Sequence, residues 1–506
     1  MKRRDSLPLI SLLLLAFIVA GIASSTTIPA FGARGHAKSQ SASPSALEER
    51  IKRVENDLLP PFVIKGQPSA PMKLADRMKY YNTPGISIAV IDKGRVEWAR
   101  GYGVRETGGS EAVTPETVFQ AASISKPVAA MAALRLVQQG KLNLDEDVNR
   151  KLTSWKLPEN EFTSEKKVTV RELLSHNAGL TVHGFEGYAS DAPVPNILQV
   201  LDGLKPANSK PIRVDIPTGT KYRYAGGGYV VLQQLLLDVS GKQFPVFMQE
   251  ALLKRIGMTR STYEQPLPKE RWLQAAVGHR LDGKKVNGNW HTYPEMAAAG
   301  LWTTPSDLAR FAIEIQRSLA GKSNRVLSQK MARQMLTPQV GGFGLGLGLP
   351  GNGPSARFSH GGANEGYRCL LVAYKSTGKG AVVMTNSDRG SSLADEVLRS
   401  IAREYGWVDY LAKEKVLAHV DPKIYSSYAG QYELAPNFIL TITTEDGRLM
   451  GQATGQPKLE LFPESETQFF PLATAVEITF VKDEKGQVTH LILRQGGQDI
   501  SAKKIK

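Results

Sequence analysis

Ser123 and Lys126 have the residue types and the spacing that nucleophilic catalysis requires. They open an apolar pattern that predicts a helix from about Ser123 to Gln139. Residues three apart share one helix face, with Cβ atoms about 5–6 Å apart, so the two side chains are expected to touch. A lysine held uncharged by burial near a helix start can take the serine proton. On its own, the same spacing also fits an ordinary polar first turn with a solvated lysine.

A second candidate is Tyr224, which precedes the glycine run 226–228 and an apolar helix. A tyrosine on a tight glycine-rich loop has its hydroxyl held in place by the backbone. Such a hydroxyl can relay protons between a serine and a leaving group. The alternative is a core tyrosine that only packs the loop.

The third candidate is the stretch His360-Gly361-Gly362-Ala363, which is followed by a strand pattern. Paired glycines beside a strand let the backbone approach a ligand closely. Amides there can donate to a developing oxyanion, and His360 can donate to a substrate carboxylate. The alternative is a glycine-rich turn with a solvated histidine.

Together and in this order, the three stretches resemble the active-site-serine penicillin-recognising enzymes. This family includes class C β-lactamases, D-alanyl-D-alanine carboxypeptidases, and related esterases and D-aminopeptidases. Its pattern is Ser-x-x-Lys, then Tyr-x-Asn, then Lys/His-x-Gly. The flanking stretches 168–180 and 298–308 also resemble signatures of the family, and the resemblance covers roughly residues 75–405.

The resemblance implies a role for each matching residue. Ser123 would be the acylated nucleophile. Lys126 and Tyr224 would share proton transfer, and which of them is the base stays open. The amides of Ser123 and Ala363 would form the oxyanion hole, and His360 would stand where the cation of the third motif sits.

Two departures from the family pattern bear on the substrate. Gly226 occupies the place of the second motif's Asn, so the side chain that would hold the acyl-amide group of the substrate is missing. This lowers the expectation of efficient β-lactam turnover. His360, next to Gly361 and Gly362 in the predicted substrate-binding stretch, replaces a lysine. A histidine near its ordinary pKa is partly charged at neutral pH, so carboxylate binding is expected to weaken as pH rises.

The order of elements predicts an α+β fold. Hairpin patterns at 85–104 and 367–387 surround a long helical middle, which indicates an antiparallel sheet flanked by helices with an all-helical insert. From about Lys415, short strand-like runs alternate with turn signals, which predicts a small all-β, barrel-like domain. The predicted boundaries are a signal peptide at 1–23, a disordered linker at 24–46, a hydrolase domain at 47–410 and the all-β domain at 415–506.

The beginning of the chain has the pattern of a secretion signal. Three basic residues, Lys2, Arg3 and Arg4, precede an apolar run from Leu7 to about Ala23. Small residues near the end of this run suit cleavage, so a periplasmic or secreted protein is expected. The run is near the lower limit for spanning a bilayer, which leaves an uncleaved membrane anchor as the alternative.

The charge and composition of the chain limit the kinds of binding partner and cofactor that can be expected. The formal net charge is +15, but the basic residues are scattered and do not interleave with aromatic ones, so no nucleic-acid partner is expected. Loose association with a cell wall or membrane surface is one reading of this charge, and a solvated basic surface is the other. The eight histidines show no ligand spacing, so neither a metal nor another cofactor is expected. The single cysteine, Cys369, lies in an apolar run and is expected to be a buried structural thiol.

The sequence therefore predicts an exported serine hydrolase that cleaves an ester or amide carbonyl of a small molecule or peptide through an acyl-enzyme on Ser123. An esterase or D-amino-acid peptidase is favoured over a true β-lactamase because of Gly226. The competing hypothesis is a catalytically weak penicillin-binding or sensor protein on the same fold.

Overall fold

The computed structural model describes residues 44–68, 71–495 and 498–506. The predicted signal peptide, and the predicted linker up to residue 43, lie outside the described residues. The helices are α1 (Pro44–Asn56), α2 (Leu74–Tyr80), α3 (Ser125–Gln138), α4 (Val170–Ser175), α5 (Ile197–Asp202), α6 (Gly226–Ser240), α7 (Phe244–Met248), α8 (Lys254–Ile256), α9 (Met296–Ala299), α10 (Pro305–Leu319), α11 (Gln329–Met335), α12 (Gly390–Glu404) and α13 (Tyr425–Tyr428).

The strands are β1 (Phe62–Ile64), β2 (Gly85–Asp92), β3 (Arg95–Gly103), β4 (Phe119–Gln120), β5 (Trp302–Thr303), β6 (Arg357–Asn364), β7 (Tyr367–Tyr374), β8 (Gly380–Thr385), β9 (Lys413–Lys415), β10 (Gly430–Ala435), β11 (Phe438–Glu445), β12 (Arg448–Ala453), β13 (Leu459–Pro463), β14 (Gln468–Phe470), β15 (Val476–Lys482), β16 (Val488–Gln495) and β17 (Gln498–Lys504). The chain divides into two compact units. Of the described residues, the larger unit holds 44–60 and 71–412, and the smaller unit holds 61–68, 413–495 and 498–506.

The larger unit is built on an antiparallel sheet with the strand order β3-β2-β8-β7-β6. Side chains of a strand alternate between the two faces of its sheet, and both faces of β2 are buried. Ile86, Ile88 and Val90 pack with α1 and α12, whereas Ala89 and Ile91 belong to the core that includes α3, α6 and α10. The sheet is therefore a middle layer between two groups of helices, as the sequence predicts.

Local turn and capping chemistry sets the ends of these elements. The β2–β3 hairpin turns at Lys93 and Gly94, both with positive φ. Helix α10 begins after Thr304, whose side chain accepts a hydrogen bond from the Asp307 amide. Helix α6 ends at Gly241, which has a φ of 66°. Each of these boundaries therefore has a local cause in the residue types at the turn or cap.

The smaller unit contains a closed barrel that runs in order from β10 to β17, which confirms the predicted all-β architecture. Its core holds Tyr428 and Phe480, whose rings stack with centroids 4.4 Å apart. Strand β1 pairs in parallel with β9 in this unit. The Lys415 ammonium lies 2.6 Å from both the Glu464 and the Glu477 carboxylates, so this largely buried charge is compensated.

Candidate active site

Ser123 lies in a single 3₁₀ turn, Ala122–Ile124, that leads directly into α3. Ala122 has a φ of 50°, a left-handed conformation that costs energy for a residue with a Cβ. The surrounding backbone holds this turn in place: the Ala121 amide donates to the Leu301 carbonyl at 2.8 Å, and Ser125 Oγ accepts from the Leu301 amide at 2.9 Å. The turn therefore presents a partly exposed Ser123 on a constrained backbone.

Lys126 lies one turn further on, with its side chain directed back to Ser123. Its Nζ is 3.0 Å from Ser123 Oγ and 2.8 Å from the Ala298 carbonyl oxygen. The lysine is only 2% exposed, and burial lowers its pKa to about 7. Near neutral pH the amine is therefore uncharged in a large fraction of molecules, and its lone pair can take a proton.

Helix α3 supplies the apolar surroundings of Lys126. Every residue from Ser125 to Leu134 is buried, so the helix is enclosed on all sides rather than on one face. An ammonium group in such surroundings loses most of its hydration, which explains the direction of the pKa shift.

Tyr224 completes the group around the nucleophile. Its hydroxyl is hydrogen-bonded to the Ser123 side chain, and burial raises its pKa well above the ordinary value. The Lys126 Nζ lies 5.1 Å from the centroid of the Tyr224 ring, and the His176 ring packs against it at 4.2 Å. His176 ends α4 with a φ of 60° and accepts from the Ala225 amide at 3.2 Å, so it orders the turn that carries Tyr224.

The third motif lies within strand β6, at the edge of the sheet, so the alternative of a glycine-rich turn is wrong. Ser359 and Gly348 exchange two backbone hydrogen bonds of 3.0 Å on the side of β6 that faces away from β7. Backbone groups of an antiparallel strand alternate in direction, so Gly361 and Ala363 also direct their amides away from β7. This is the orientation that the predicted oxyanion role of Ala363 requires.

Gly362 allows β6 to approach the nucleophile turn. A Cβ atom at this position would lie 2.2 Å from the Ala121 carbonyl oxygen and 3.2 Å from the Ala122 Cβ. At Gly361, by contrast, a Cβ would meet only the Cys369 carbonyl oxygen, at 3.8 Å. The two glycines of the motif therefore differ: one is needed for close packing and the other is not.

His360 departs from the sequence-based prediction. Its ring is 2% exposed, and burial, followed by the nearby Lys126 charge, lowers its pKa to about 3. Its Nδ1 lies 2.6 Å from the Gly361 carbonyl oxygen, which can only accept, so Nδ1 carries the proton. The prediction of a partly charged histidine that binds carboxylates less well as pH rises is wrong, because the ring is buried and neutral at pH 7.

Gly226 is the first residue of α6, and its amide donates to the His183 carbonyl oxygen at 3.0 Å. A Cβ at this position would lie 3.0 Å from both that oxygen and a ring carbon of Phe185. The segment 183–185 therefore closely lines the position from which the missing side chain would project. His183 lies in an irregular segment without periodicity, so no sequence pattern identifies it, and the missing Asn at Gly226 is the signal that directs attention to this position.

Glu295, which no sequence motif marks, is fully buried just before α9. Within the described part of the chain, neither of its carboxylate oxygens has a hydrogen-bond partner on another residue, and burial raises its pKa to about 8. Its backbone carbonyl accepts from the Ala298 amide at 3.0 Å, and Ala298 in turn accepts from Lys126. A neutral carboxylic acid therefore lies at the base of the short helix that contacts the lysine.

Among residues 44–68, 71–495 and 498–506, no group of three or more His, Cys, Asp or Glu side chains is placed to hold a metal ion. Within the same ranges, no helix combines the length and apolarity needed to cross a membrane. The thiol of Cys369 is buried and donates to the Gln120 carbonyl oxygen at 3.2 Å, as expected for a structural cysteine.

Comparison with known proteins agrees with this architecture. The family model described as beta-lactamase matches residues 73–404, and a domain of unknown function, DUF3471, matches residues 414–504. Penicillin-binding protein 4* of Bacillus subtilis (strain 168) is 24% identical over 438 residues, which span 82% of this chain and 93% of that protein.

Two solved structures show the same fold. The octameric penicillin-binding protein homologue from Pyrococcus abyssi superposes with a TM-score of 0.58 at 22% identity, covering 85% of this chain and 98% of its own. The D-amino acid amidase from Ochrobactrum anthropi SV3, solved with L-phenylalanine amide, has a TM-score of 0.53 at 21% identity and covers 66% of this chain and 97% of its own.

The chain belongs to the beta-lactamase family, because the family model covers well over half of its length. The sequence-based prediction of a serine hydrolase of this family, with a β-barrel appended, is confirmed at that level.

Proposed function

We propose that this protein is an exported serine hydrolase that cleaves an ester or amide bond through an acyl-enzyme on Ser123. The observation that carries the proposal is the pair formed by Ser123 and Lys126. Their reacting atoms lie 3.0 Å apart, and burial lowers the pKa of Lys126 to about 7. A base with a pKa near the working pH is the most efficient proton acceptor.

The first half of the reaction forms the acyl-enzyme. Lys126 takes the Ser123 proton as Oγ attacks the carbonyl carbon of the substrate. The resulting oxyanion accepts hydrogen bonds from the amides of Ser123 and Ala363. The carbon–oxygen or carbon–nitrogen bond then breaks, and the leaving group receives the proton from Lys126 by way of the Tyr224 hydroxyl.

The second half releases the acyl group to water. A water molecule loses a proton to Lys126 and attacks the acyl carbon, and the bond to Ser123 Oγ breaks. Ser123 regains a proton from the lysine, and the product leaves as a carboxylic acid. The complete cycle returns Lys126, Tyr224 and Ser123 to their starting protonation states.

Lys126, rather than Tyr224, is the general base in this proposal. Burial raises the pKa of Tyr224, which keeps it a neutral phenol at pH 7, whereas the same burial lowers the pKa of Lys126 into the working range. A neutral phenol that is hydrogen-bonded to Ser123 suits the relay of a proton.

The substrate is proposed to be a small molecule or peptide with an ester or amide carbonyl, and not a good β-lactam substrate. Gly226 removes the amide side chain of the second motif, and His360 is neutral, so no cation stands at its position to attract a carboxylate. The structural similarity to a D-amino acid amidase supports an amino-acid ester or amide. We expect p-nitrophenyl esters to be cleaved faster than nitrocefin.

Export is proposed on the basic and apolar pattern of residues 1–23. The net charge of +15 supports a loose association with the anionic cell wall or the membrane surface, and the scattered basic residues do not support a nucleic-acid partner.

The test of the proposal is covalent labelling of Ser123. The full chain is incubated with a fluorophosphonate, and the adduct is mapped by mass spectrometry, with Ser123→Ala as the control. We expect one adduct on Ser123 in the wild type, none at that site in the variant, and an unchanged circular dichroism spectrum. An unlabelled Ser123, beside a control hydrolase that reacts, would refute the proposal. Labelling by a penicillin without any ester turnover would instead favour the penicillin-binding alternative.

A further inference from the structure

The segment Thr181–Phe185 lies against the start of α6, where the second motif has lost its amide side chain. The Val182 carbonyl accepts from the Gly227 amide at 2.9 Å, and the His183 carbonyl accepts from the Gly226 amide at 3.0 Å. On the other side, the Thr181 amide donates to the Arg213 carbonyl oxygen at 2.8 Å. The segment is therefore held at a defined position beside Gly226.

Val182 has a φ of 63°, which is a strained conformation for a β-branched residue. Strain of this kind persists only where the surrounding contacts enforce it, and it concentrates at functional sites. Here the enforced backbone places the next residue, His183, beside Tyr224, with ring centroids 4.9 Å apart.

Three imidazole rings, those of His176, His183 and His360, lie near the Tyr224 ring, and they differ in solvent exposure. His176 and His360 are each 2% exposed, whereas His183 is an exposed residue whose ring is only partly enclosed by its neighbours. Of these three rings, the His183 ring is therefore the one that combines solvent exposure with a contact to Tyr224.

The hydrogen bonding of His183 defines what its ring can recognise. A bond to the backbone of Tyr224 favours the protonated ring, so the partner is a carbonyl and the ring N–H donates to it. Burial and the Lys126 charge both lower the His183 pKa, which leaves the second ring nitrogen as a lone-pair acceptor. An asparagine side chain also offers an acceptor, its amide oxygen.

We propose that His183 binds the acyl part of the substrate at the position left by Gly226, by accepting a hydrogen bond from an N–H group beside the scissile carbonyl. This inference rests on the proposed function and specifies its substrate class. The favoured substrates carry an amino or acylamino group on the carbon next to that carbonyl, as amino-acid esters and amides do.

The test uses two p-nitrophenyl esters that differ in one atom. One carries an N-acetylamino group next to the scissile carbonyl, and its analogue carries an O-acetyl group there and has no N–H. For the wild type we expect a kcat/KM about tenfold higher on the first ester, the value of one hydrogen bond. In His183→Ala this preference is expected to disappear, with KM rising for the N–H substrate alone. In His183→Asn it is expected to return in part.

Controls separate a binding role from a structural one. His183→Leu provides a second variant without an acceptor should the alanine variant fold poorly, and His419→Ala removes an exposed histidine of the smaller unit. Fluorophosphonate labelling of Ser123 is measured in every variant. Labelled variants that lose activity equally on both esters, or lose none, would overturn the role of His183 alone. A wild type that is not labelled at all would overturn the proposed function and this inference with it.

Discussion

The two sides of the candidate site differ in how much of the family pattern they retain. On the nucleophile side, Ser123 and Lys126 are both present and are placed by a helix that is buried on every side. On the substrate side, Gly226 stands in place of an asparagine, and His360 is a buried neutral ring. The difference teaches that the family pattern is kept where a buried helix places the proposed nucleophile and base, and that the departures from it lie at a strand edge and a helix start.

The largest expected effect comes from a methyl group added at Gly362, where strand β6 packs against the nucleophile turn. In Gly362→Ala the new Cβ would lie 2.2 Å from the Ala121 carbonyl oxygen, so strand β6 and the nucleophile turn must separate. A displacement of about 1 Å at a reacting group can cost on the order of 100-fold in rate, and we expect kcat to fall by about this factor.

Gly361→Ala is the matched variant on the same strand, because its Cβ would meet only a carbonyl oxygen at 3.8 Å. We expect a change in KM that exceeds any change in kcat, measured by steady-state hydrolysis of the same ester. Equal losses of kcat in the two variants would show that the close packing of Gly362 against the nucleophile turn does not determine the rate.

The next effect is the dependence of activity on pH. Lys126 must be uncharged to accept the Ser123 proton, and burial lowers its pKa to about 7. Below pH 7 the logarithm of kcat/KM is therefore expected to rise with a slope of about one per pH unit, and above pH 7 it is expected to level off. A midpoint above pH 9 would assign the base to a group with a raised pKa, such as Tyr224, and would remove Lys126 from that role.

The smallest effect on activity is expected from a change at Glu295. Burial acts there on a carboxyl group instead of an amine, and the predicted change is in stability. Its pKa is raised from 4.5 to about 8, so the folded state binds the proton more tightly than the unfolded state does. This contribution to stability is complete below pH 4.5 and is lost as pH rises through 8.

Glu295→Gln removes that titration. Between pH 5 and pH 9, the wild type is expected to lose more of its free energy of unfolding than the variant does, by at least about 1.4 kcal/mol, the value of one pKa unit. Urea unfolding at both pH values measures the difference, and the other titrating groups are shared by the two proteins. Parallel pH profiles would show that Glu295 is solvated in solution.

Much of the fold can be predicted because its signals are local. Turn residues mark the β2–β3 hairpin, Thr304 caps α10, and Gly241 ends α6. The barrel strands β10 and β17 are harder to find, because Gly430–Ala435 and Gln498–Lys504 are rich in polar residues and become strands only through pairing with their neighbours.

The candidate site also has a part that local sequence patterns predict and a part that they do not. The contact between Ser123 and Lys126 follows from helical spacing, so the sequence predicts it. The neutral state of His360 and the positions of His183 and Glu295 depend on burial by residues distant in the chain, which no local pattern records.

The burial of helix α3 on every side also controls the protonation of Lys126. The same packing that holds the larger unit together also keeps water away from Lys126, and a water molecule admitted beside Nζ would raise its pKa toward the value of a free lysine. A core substitution that loosens this helix would therefore move the working range of the enzyme toward alkaline pH well before the chain unfolds. The pH optimum would then report on the integrity of the core.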